Sequence, residues 1–288
     1  MIYICFPVYN RIQLTIKCIE SILTSTFKDY KIVILDDGST DGSTEIINET
    51  YPDIIILKGD GTFFWAKGMN TCLEYVLTIS NDNDFVLMLN NDVEIEETTL
   101  NELIFKYQSL NTECILGCFN LIIDNKNCIE NSGYIIKKYG FIQNLNPRFK
   151  HYAKIDSVKE ELIKVDSLAA KGAFLSIKII KKIGLIDEYH FRQYHGDSTY
   201  FYRTNIYNIP IFIYVNAKLY SHLYLTGAGA EQHNCSFKEI ITSFFTFKSG
   251  NYFKTIYFRS KIFNNNSIIA FIQTSIIIGY KIIKWIKK

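Results

Sequence analysis

Four short apolar segments in the first third of the chain each end abruptly in a polar cluster, and this repeated punctuation leaves few folds open. Ile2–Phe6 is stopped by Pro7 and opens into Pro7-Val8-Tyr9-Asn10. Lys31–Leu35 ends in Asp36-Asp37-Gly38-Ser39, Ile54–Leu57 leads to Gly59-Asp60-Gly61, and Phe85–Leu89 ends in Asn90-Asn91-Asp92. Helical segments lie between them. Arg11–Ser25 places Ile12, Ile16, Ile19, Ile22 and Leu23 at helical spacing. Asp41 is positioned to cap a helix reaching Thr50, and Trp65–Ile79 reads as a third helix. Strands this apolar, separated by helices, predict an α/β fold with a mostly parallel central sheet covered on both faces.

The rest of the chain is less regular. From about Leu110 to Ser176 short strands and polar insertions replace the alternation. Ile179–Ile183 and Gly196–Tyr207 read as helices and Ile211–Val215 as a late strand. Beyond Ser236 the sequence is helical and apolar-basic, ending in SIIIGYKIIKWIKK. The expected divisions are 1–110, 111–235 and a helical C-terminal extension, 236–288. The apolar run before Lys281 is too short for an easy membrane span, which takes about 20 residues. Ser267–Lys288 therefore reads either as an amphipathic helix on an anionic inner leaflet or as a helix packed on protein.

Composition narrows the function. A net charge of +2 argues against a nucleic-acid partner, and 48% hydrophobic residues argue against disorder. The seven Cys form no C-x-x-C pair, and thiols at apolar positions such as Cys5 and Cys18 read as reduced core residues of a cytoplasmic protein. The N-terminal MIYICFPVYN is a strand rather than a signal peptide.

In an open parallel sheet, ligands bind beyond the carboxyl ends of the strands, where all four polar clusters should meet. No G-x-x-x-x-G-K-[ST] run is present, and the glycines near residue 60 do not spell G-x-G-x-x-G. Carboxylates cannot grip phosphate directly. One can accept from a base N–H or ribose hydroxyl, and another can hold a divalent cation that bridges phosphate oxygens. Those two tasks together describe a nucleoside-diphosphate ligand with Mg²⁺ or Mn²⁺.

At this point six segments resemble the family-2 glycosyltransferases of the GT-A nucleotide-sugar-binding fold. They are ICFPVYNR, VILDDGSTDGS, GDGTFFWAKGMN, FVLMLNNDVEI, KGAFLSIKIIKKIGLIDEY and HGDSTYFYR, in family order over roughly the first 225 residues. Bacterial surface-polysaccharide members, including rhamnosyltransferase-like ones, look most similar. The resemblance implies that Pro7, Tyr9 and Asn10 lie beside base and ribose and that Asp37 bonds the pyrimidine. It implies that Gly59, Asp60 and Gly61 turn near the nucleoside and that Trp65 to Asn70 begins the following helix. Asn90-Asn91-Asp92 occupies the D-x-D slot, giving Asp92 to the metal and Asn91 to the ribose or donor sugar. Asp197 falls at the catalytic base and His222 at a further metal-ligand position.

The implied activity is an inverting glycosyltransferase that moves a sugar from a UDP- or dTDP-linked donor to a hydroxyl of a glycan or lipid-linked glycan. Its setting would be surface polysaccharide synthesis, in the cytoplasm or peripherally on the inner face of the cell membrane. Residues 1–110 would bind the donor and residues 111–235 the acceptor. Asn90 and Thr199 depart from the family's usual carboxylates. A degenerate nucleotide-binding protein is one alternative. A sugar-nucleotide nucleotidyltransferase is another, but it would want a Gly-rich basic loop after the first strand.

Overall fold

A computed structural model describes residues 1–130, 133–137, 142–144, 154–155, 158–222 and 236–286. Its first half follows the alternation read from the sequence. β1 (Ile2–Val8), β2 (Tyr30–Asp36), β3 (Ile55–Lys58) and β4 (Phe85–Met88) run parallel in the spatial order β4-β1-β2-β3. α1 (Ile12–Leu23), α2 (Ser43–Thr50) and α3 (Phe64–Ile79) connect them. The two-residue period of β1 feeds both faces. Tyr3 and Cys5 pack with Met69 and Leu73 of α3, while Ile4 and Phe6 pack with Cys18, Ile19 and Ile22 of α1.

Pro7 does not stop β1, which continues to Val8. The Cys5 carbonyl accepts from Leu89 N at 2.9 Å and the Val8 carbonyl from Asp37 N at 2.9 Å, so Pro7 shares the direction of Cys5. On that side β4 ends at Met88, and the missing N–H of Pro7 costs no ladder bond. Asp41 serves two helices: its carboxylate accepts from Ile12 N at 2.9 Å and from Ser43 N at 3.2 Å.

The second half adds antiparallel strands to this mostly parallel sheet. After β5 (Val93–Ile95) and α4 (Thr99–Ser109) come β6 (Ile115–Ile122) and β7 (Asn125–Ile129). β8 (Tyr134–Ile136) and β9 (Ile142–Asn144) form a separate pair. Then follow β10 (Leu162–Val165), β11 (Ala173–Ser176), α5 (Ile177–Ile183), α6 (Gly196–Tyr202) and β12 (Ile211–Ser221). The helix expected to reach Tyr207 tightens into a 3₁₀ turn over Arg203–Tyr207. β11 lies antiparallel between β4 and β6, joining both halves in one sheet. β12 runs parallel to β6, with β10 and β5 antiparallel against it. Cys5, Cys18, Cys72, Cys114 and Cys118 are free and buried.

The C-terminal extension contains α7 (Phe237–Ser243), α8 (Phe253–Asn264) and α9 (Ser267–Ile286). Lys287 and Lys288 of the expected tail, and 223–235 of the expected second division, lie outside the described residues.

α3 approaches the sheet so closely that Gly68 has no room for a side chain. A Cβ there would sit 2.8 Å from Pro7 Cβ and 2.9 Å from Leu35 Cδ2, whereas a Cβ on Gly279 of α9 would meet nothing within 4 Å. Gly68→Ala should therefore destabilise the fold by roughly 1–3 kcal/mol through overpacking. Gly279→Ala should raise stability by up to about 1 kcal/mol through helix propensity. Urea unfolding midpoints check both.

Candidate active site

The carboxyl ends of β1, β2, β3 and β4 lie side by side at one edge of the sheet, and their loops are tied together by side chains. Asp37, buried at the end of β2, accepts from Gly61 N at 2.9 Å, Phe63 N at 3.2 Å and Phe64 N at 2.9 Å. The approach needs glycine: a Cβ on Gly59 would lie 2.6 Å from Asp37 Oδ1. A carboxylate offers about four acceptor positions, so one is left for an incoming N–H. Asp36 accepts from Ser39 N at 2.8 Å and also from the Thr44 hydroxyl, which closes the β2–α2 turn. Asn10, at φ 57°, bonds Ser39 and Thr40 across the β1–α1 loop. Beside it the Tyr9 ring is exposed. Asp60 folds onto the Thr62 hydroxyl and amide.

The Asn-Asn-Asp loop follows β4. Trp65 Nε1 donates to Asn90 Oδ1 at 3.0 Å, so the neutral side chain at the first position of the slot is a structural acceptor. Asn91 Nδ2 donates to Thr15 Oγ1 at 3.0 Å. Asp92 is followed by β5 rather than by a helix, which removes a helix cap as its reason for being there. Its Oδ1 is buried with no hydrogen-bond partner. A buried, orphaned carboxylate oxygen is costly unless something positive meets it.

His222 N donates to the Asp92 carbonyl at 3.0 Å and brings the imidazole alongside. The His222 Nε2 pairs with Glu94 Oε1 at 2.8 Å, the carboxylate–histidine arrangement that orients a metal-binding ring. Among the described residues no three His, Cys, Asp or Glu side chains converge as a complete metal centre. The residues present fit a divalent cation that takes its other ligands from diphosphate and water.

Asp197 stands at the start of α6. Its carboxylate accepts from Ser198 N at 2.7 Å and Ala170 N at 3.3 Å. Burial raises its pKa above the ordinary Asp value; the two amides and the nearby Lys171 ammonium oppose this without cancelling it. Gly172 N donates to the Met88 carbonyl at 2.9 Å, so the segment that holds Asp197 through Ala170 is also fixed to the end of β4. Between these anchors, Lys171 Nζ pairs with Glu130 Oε1 at 3.1 Å and reaches Ser221 Oγ at 3.4 Å. Asp92 and Asp197 add to the field that holds Lys171 protonated despite its burial.

His195, two residues before Asp197, and Asn70 of α3 have partners of their own. Arg259 Nη1 lies 3.0 Å from His195 Nδ1, and His195 Nε2 lies 3.0 Å from the Gly250 carbonyl. That pattern fixes Nε2–H as donor and Nδ1 as acceptor. Burial and Arg259 push the His195 pKa well down, so the ring stays neutral with its lone pair occupied. Buried Asn70 donates to the Ile186 carbonyl at 2.9 Å and to Glu188 Oε2 at 2.7 Å, and accepts from Ile186 N at 2.9 Å. It holds the 186–188 turn on α3 rather than facing the nucleotide loops. Glu94, Glu130 and the Arg259–His195 pair went unread in the sequence. The VEIEE run around Glu94 was the only local signal for any of them.

An α/β sheet with acids gathered at the carboxyl ends of its parallel strands, continued by an acid on a buried turn, is the arrangement of a GT-A fold. The pattern described as "Glycosyl transferase family 2" matches residues 3–160, more than half of the sequence, and the chain belongs to that family. Glycosyltransferase GlyG of Streptococcus pneumoniae serotype 4 is 23% identical over 122 residues, which are 41% of this chain and 38% of GlyG. The poly(ribitol-phosphate) beta-glucosyltransferase of Bacillus spizizenii is 36% identical over 98 residues, 28% of this chain and 15% of that protein. The chain thus spans well under half of these relatives' lengths. Among solved structures, S. aureus TarS 1-349 in complex with UDP-GlcNAc has a TM-score of 0.59 at 12% identity, covering 90% of this chain and 65% of TarS 1-349. GalNAc-T7 with UDP, GalNAc and Mn²⁺ has a TM-score of 0.61 at 11% identity, covering 77% and 43% respectively. Both likenesses concern the fold.

Removing the Asp37 carboxylate strands three backbone donors at once. Asp37→Ala should lower stability by about 1–3 kcal/mol, the cost of unsatisfied buried groups, and weaken binding of uridine or thymidine diphosphate. Chemical unfolding and titration calorimetry check the two effects separately.

Proposed function

We propose that the chain is an inverting glycosyltransferase that takes a sugar from a UDP- or dTDP-linked donor to a hydroxyl of a glycan or lipid-linked glycan. The observation that carries this reading is the Asp197 carboxylate. Its pKa is raised, and it hangs on the same short segment that is bonded to the end of β4, beside the Asn-Asn-Asp loop. In this reading the diphosphate and the base face each other across the donor sugar. The setting we propose is surface polysaccharide synthesis on the inner face of the cell membrane; the poly(ribitol-phosphate) beta-glucosyltransferase among the relatives supports a polymeric acceptor.

Asp37 accepts the base N–H with its remaining position, and Tyr9 and Asn10 flank base and ribose. Asp92 and His222 would hold Mg²⁺ or Mn²⁺, which when bound would supply charge to offset that of the leaving diphosphate. Asp197 accepts the proton of the acceptor hydroxyl as that oxygen attacks the anomeric carbon from the face opposite the diphosphate. One base and one displacement invert the configuration. His195 is excluded as the base because its lone pair is engaged by Arg259. Residues 1–110 serve the donor and 111–235 the acceptor.

Asp197→Asn keeps the size of the side chain and loses the proton acceptor. Transfer should fall by at least about 10²-fold while diphosphate affinity stays unchanged, read by product formation and calorimetry. Because the Asp197 pKa is raised from 3.8, the base is protonated at pH values where an ordinary Asp is already ionised. The acid limb of the transfer rate should accordingly lie above that value and disappear in Asp197→Asn. Near-normal transfer in this variant would move the role to another group.

Manganese titration followed by electron paramagnetic resonance tests the cation directly. In the presence of UDP, binding should be lost in Asp92→Asn. It should tighten by roughly tenfold, about 1.4 kcal/mol, in Asn90→Asp, where a second carboxylate keeps the Trp65 bond and adds charge.

A further inference from the structure

The last helix buries polar side chains and leaves large apolar ones outside. α9 buries Gln273 and Thr274, at 2% and 6% exposure, and Gln273 Oε1 accepts from Asn264 Nδ2 of α8 at 2.9 Å. Its opposite side leaves Ile268, Phe271, Ile272, Ile276, Tyr280 and Ile283 between 52% and 72% exposed. Apart from the adjacent Phe271 and Ile272, these residues recur every three or four positions and so form a continuous broad stripe. Scattered exposed apolar residues are ordinary, whereas a contiguous stripe marks a surface that something covers.

Beside the stripe, α7, α8 and α9 enclose an open groove of about 610 Å³. Phe244, Phe253, Tyr257, Phe271, Ile278 and Ile282 are among its walls, which are almost wholly hydrocarbon. Such a space offers nothing to a polar ligand.

Charge selects the occupant. Residues 236–288 contain nine Lys or Arg and one Glu, a net of +8; the whole chain is +2, so residues 1–235 carry −6. Lys238, Lys254 and Lys261 are exposed on the helices that flank the groove. An apolar stripe and groove, with exposed lysines on the adjoining helices, on a segment of opposite charge to the rest of the protein match an anionic lipid surface. No described helix is long and apolar enough to cross a membrane, so the contact lies along the surface.

We propose that α7, α8 and α9 seat the protein on an anionic phospholipid bilayer, with one hydrocarbon chain of a membrane lipid entering the groove. This deepens the membrane setting of the proposed function and rests on that reading for its purpose, not for the binding. The seat is joined to the candidate catalytic loop: α8 supplies Arg259 to His195 and Thr255 to the His190 carbonyl, at 3.5 Å. A lipid-linked acceptor would then arrive from the surface on which the enzyme rests.

Vesicle flotation of the full chain tests the proposal. The protein should float with phosphatidylcholine vesicles that contain phosphatidylglycerol, at least about tenfold more than with phosphatidylcholine alone, and be released at about 1 M salt. Phe271→Glu with Ile276→Glu should remove flotation, while UDP affinity by calorimetry stays unchanged and reports that the catalytic fold is intact. Should that variant misfold, the exposed set Lys238→Glu, Lys254→Glu and Lys261→Glu should still abolish the preference for phosphatidylglycerol. Phe271→Trp should be quenched by lipids brominated along their chains. Equal flotation on both vesicles, or no quenching, would overturn the proposal. So would a concentration-dependent dimer that Phe271→Glu dissociates without any vesicle binding, since a second copy would then cover the stripe. Absence of UDP binding in the unaltered chain would sink the transferase reading and leave the lipid seat standing.

Discussion

The antiparallel insertion of β11 between β4 and β6 is the constraint on which the rest of the molecule depends. A strand that runs against β4 must begin where β4 ends, so Lys171 and Gly172 arrive at the Asn-Asn-Asp loop. A parallel neighbour would have delivered its carboxyl end there and its start to the far edge of the sheet. The same insertion welds the parallel first half to the mixed second half. The crevice is thereby built from both halves of a single rigid sheet instead of from two bodies that must dock.

Charge in this crevice is balanced by neighbours rather than by water. Glu130, Asp92 and Asp197 surround one ammonium, Lys171, and only Glu130 is directly bonded to it. Burial would otherwise neutralise that lysine; the surrounding acids keep it charged. The arrangement leaves Asp92 with an oxygen that has no donor, while burial, opposed by Lys171, holds the Asp197 pKa above its ordinary value. Two acids held in one field but differently bonded are suited to different tasks, one to meeting a cation and one to accepting a proton.

What could be read from the sequence was local. The apolar runs, their polar ends and the helices between them depend on periodicity and punctuation, and β1 to β4 appear within a residue or two of their expected limits. Pro7 was misread because a proline breaks a strand only where the ladder needs its N–H, and that depends on where β4 stops. The second half was opaque for a related reason. β6 pairs with β11 and β12 over long sequence separations, and those pairings leave no periodic trace. Among the candidate residues, Asp37, Asp92 and Asp197 could be picked out as acids at strand and helix ends. Asn90 showed up only as a missing charge, because its bond to Trp65 Nε1 joins two loops that are adjacent only after folding. Asn70 falls within a motif yet faces the Ile186–Glu188 turn, a direction that helical phase alone does not reveal.

The C-terminal extension is bound into this machinery through a guanidinium that meets an imidazole, Arg259 on His195. Burial lowers the Arg259 pKa to about 10, so the group remains a cation at neutral pH. A charged His195 beside it would be repelled, and the neutral tautomer is the one that can accept from Arg259 while donating to Gly250. His195 is also held at φ 67°, in the left-handed region, as the residue that opens α6. A backbone position that a histidine adopts only under constraint is thus stabilised by contacts from α8 and the loop before it. Asp197 lies two residues further on, and its direction follows from that turn. The helices that present an apolar stripe to the outside therefore also set the geometry of the candidate base. The extension also reaches the β3–α3 loop, where Phe247 packs edge-on against Phe64, the residue whose amide donates to Asp37, so movement of the extension as a unit would be felt at Asp197 and at Asp37 alike.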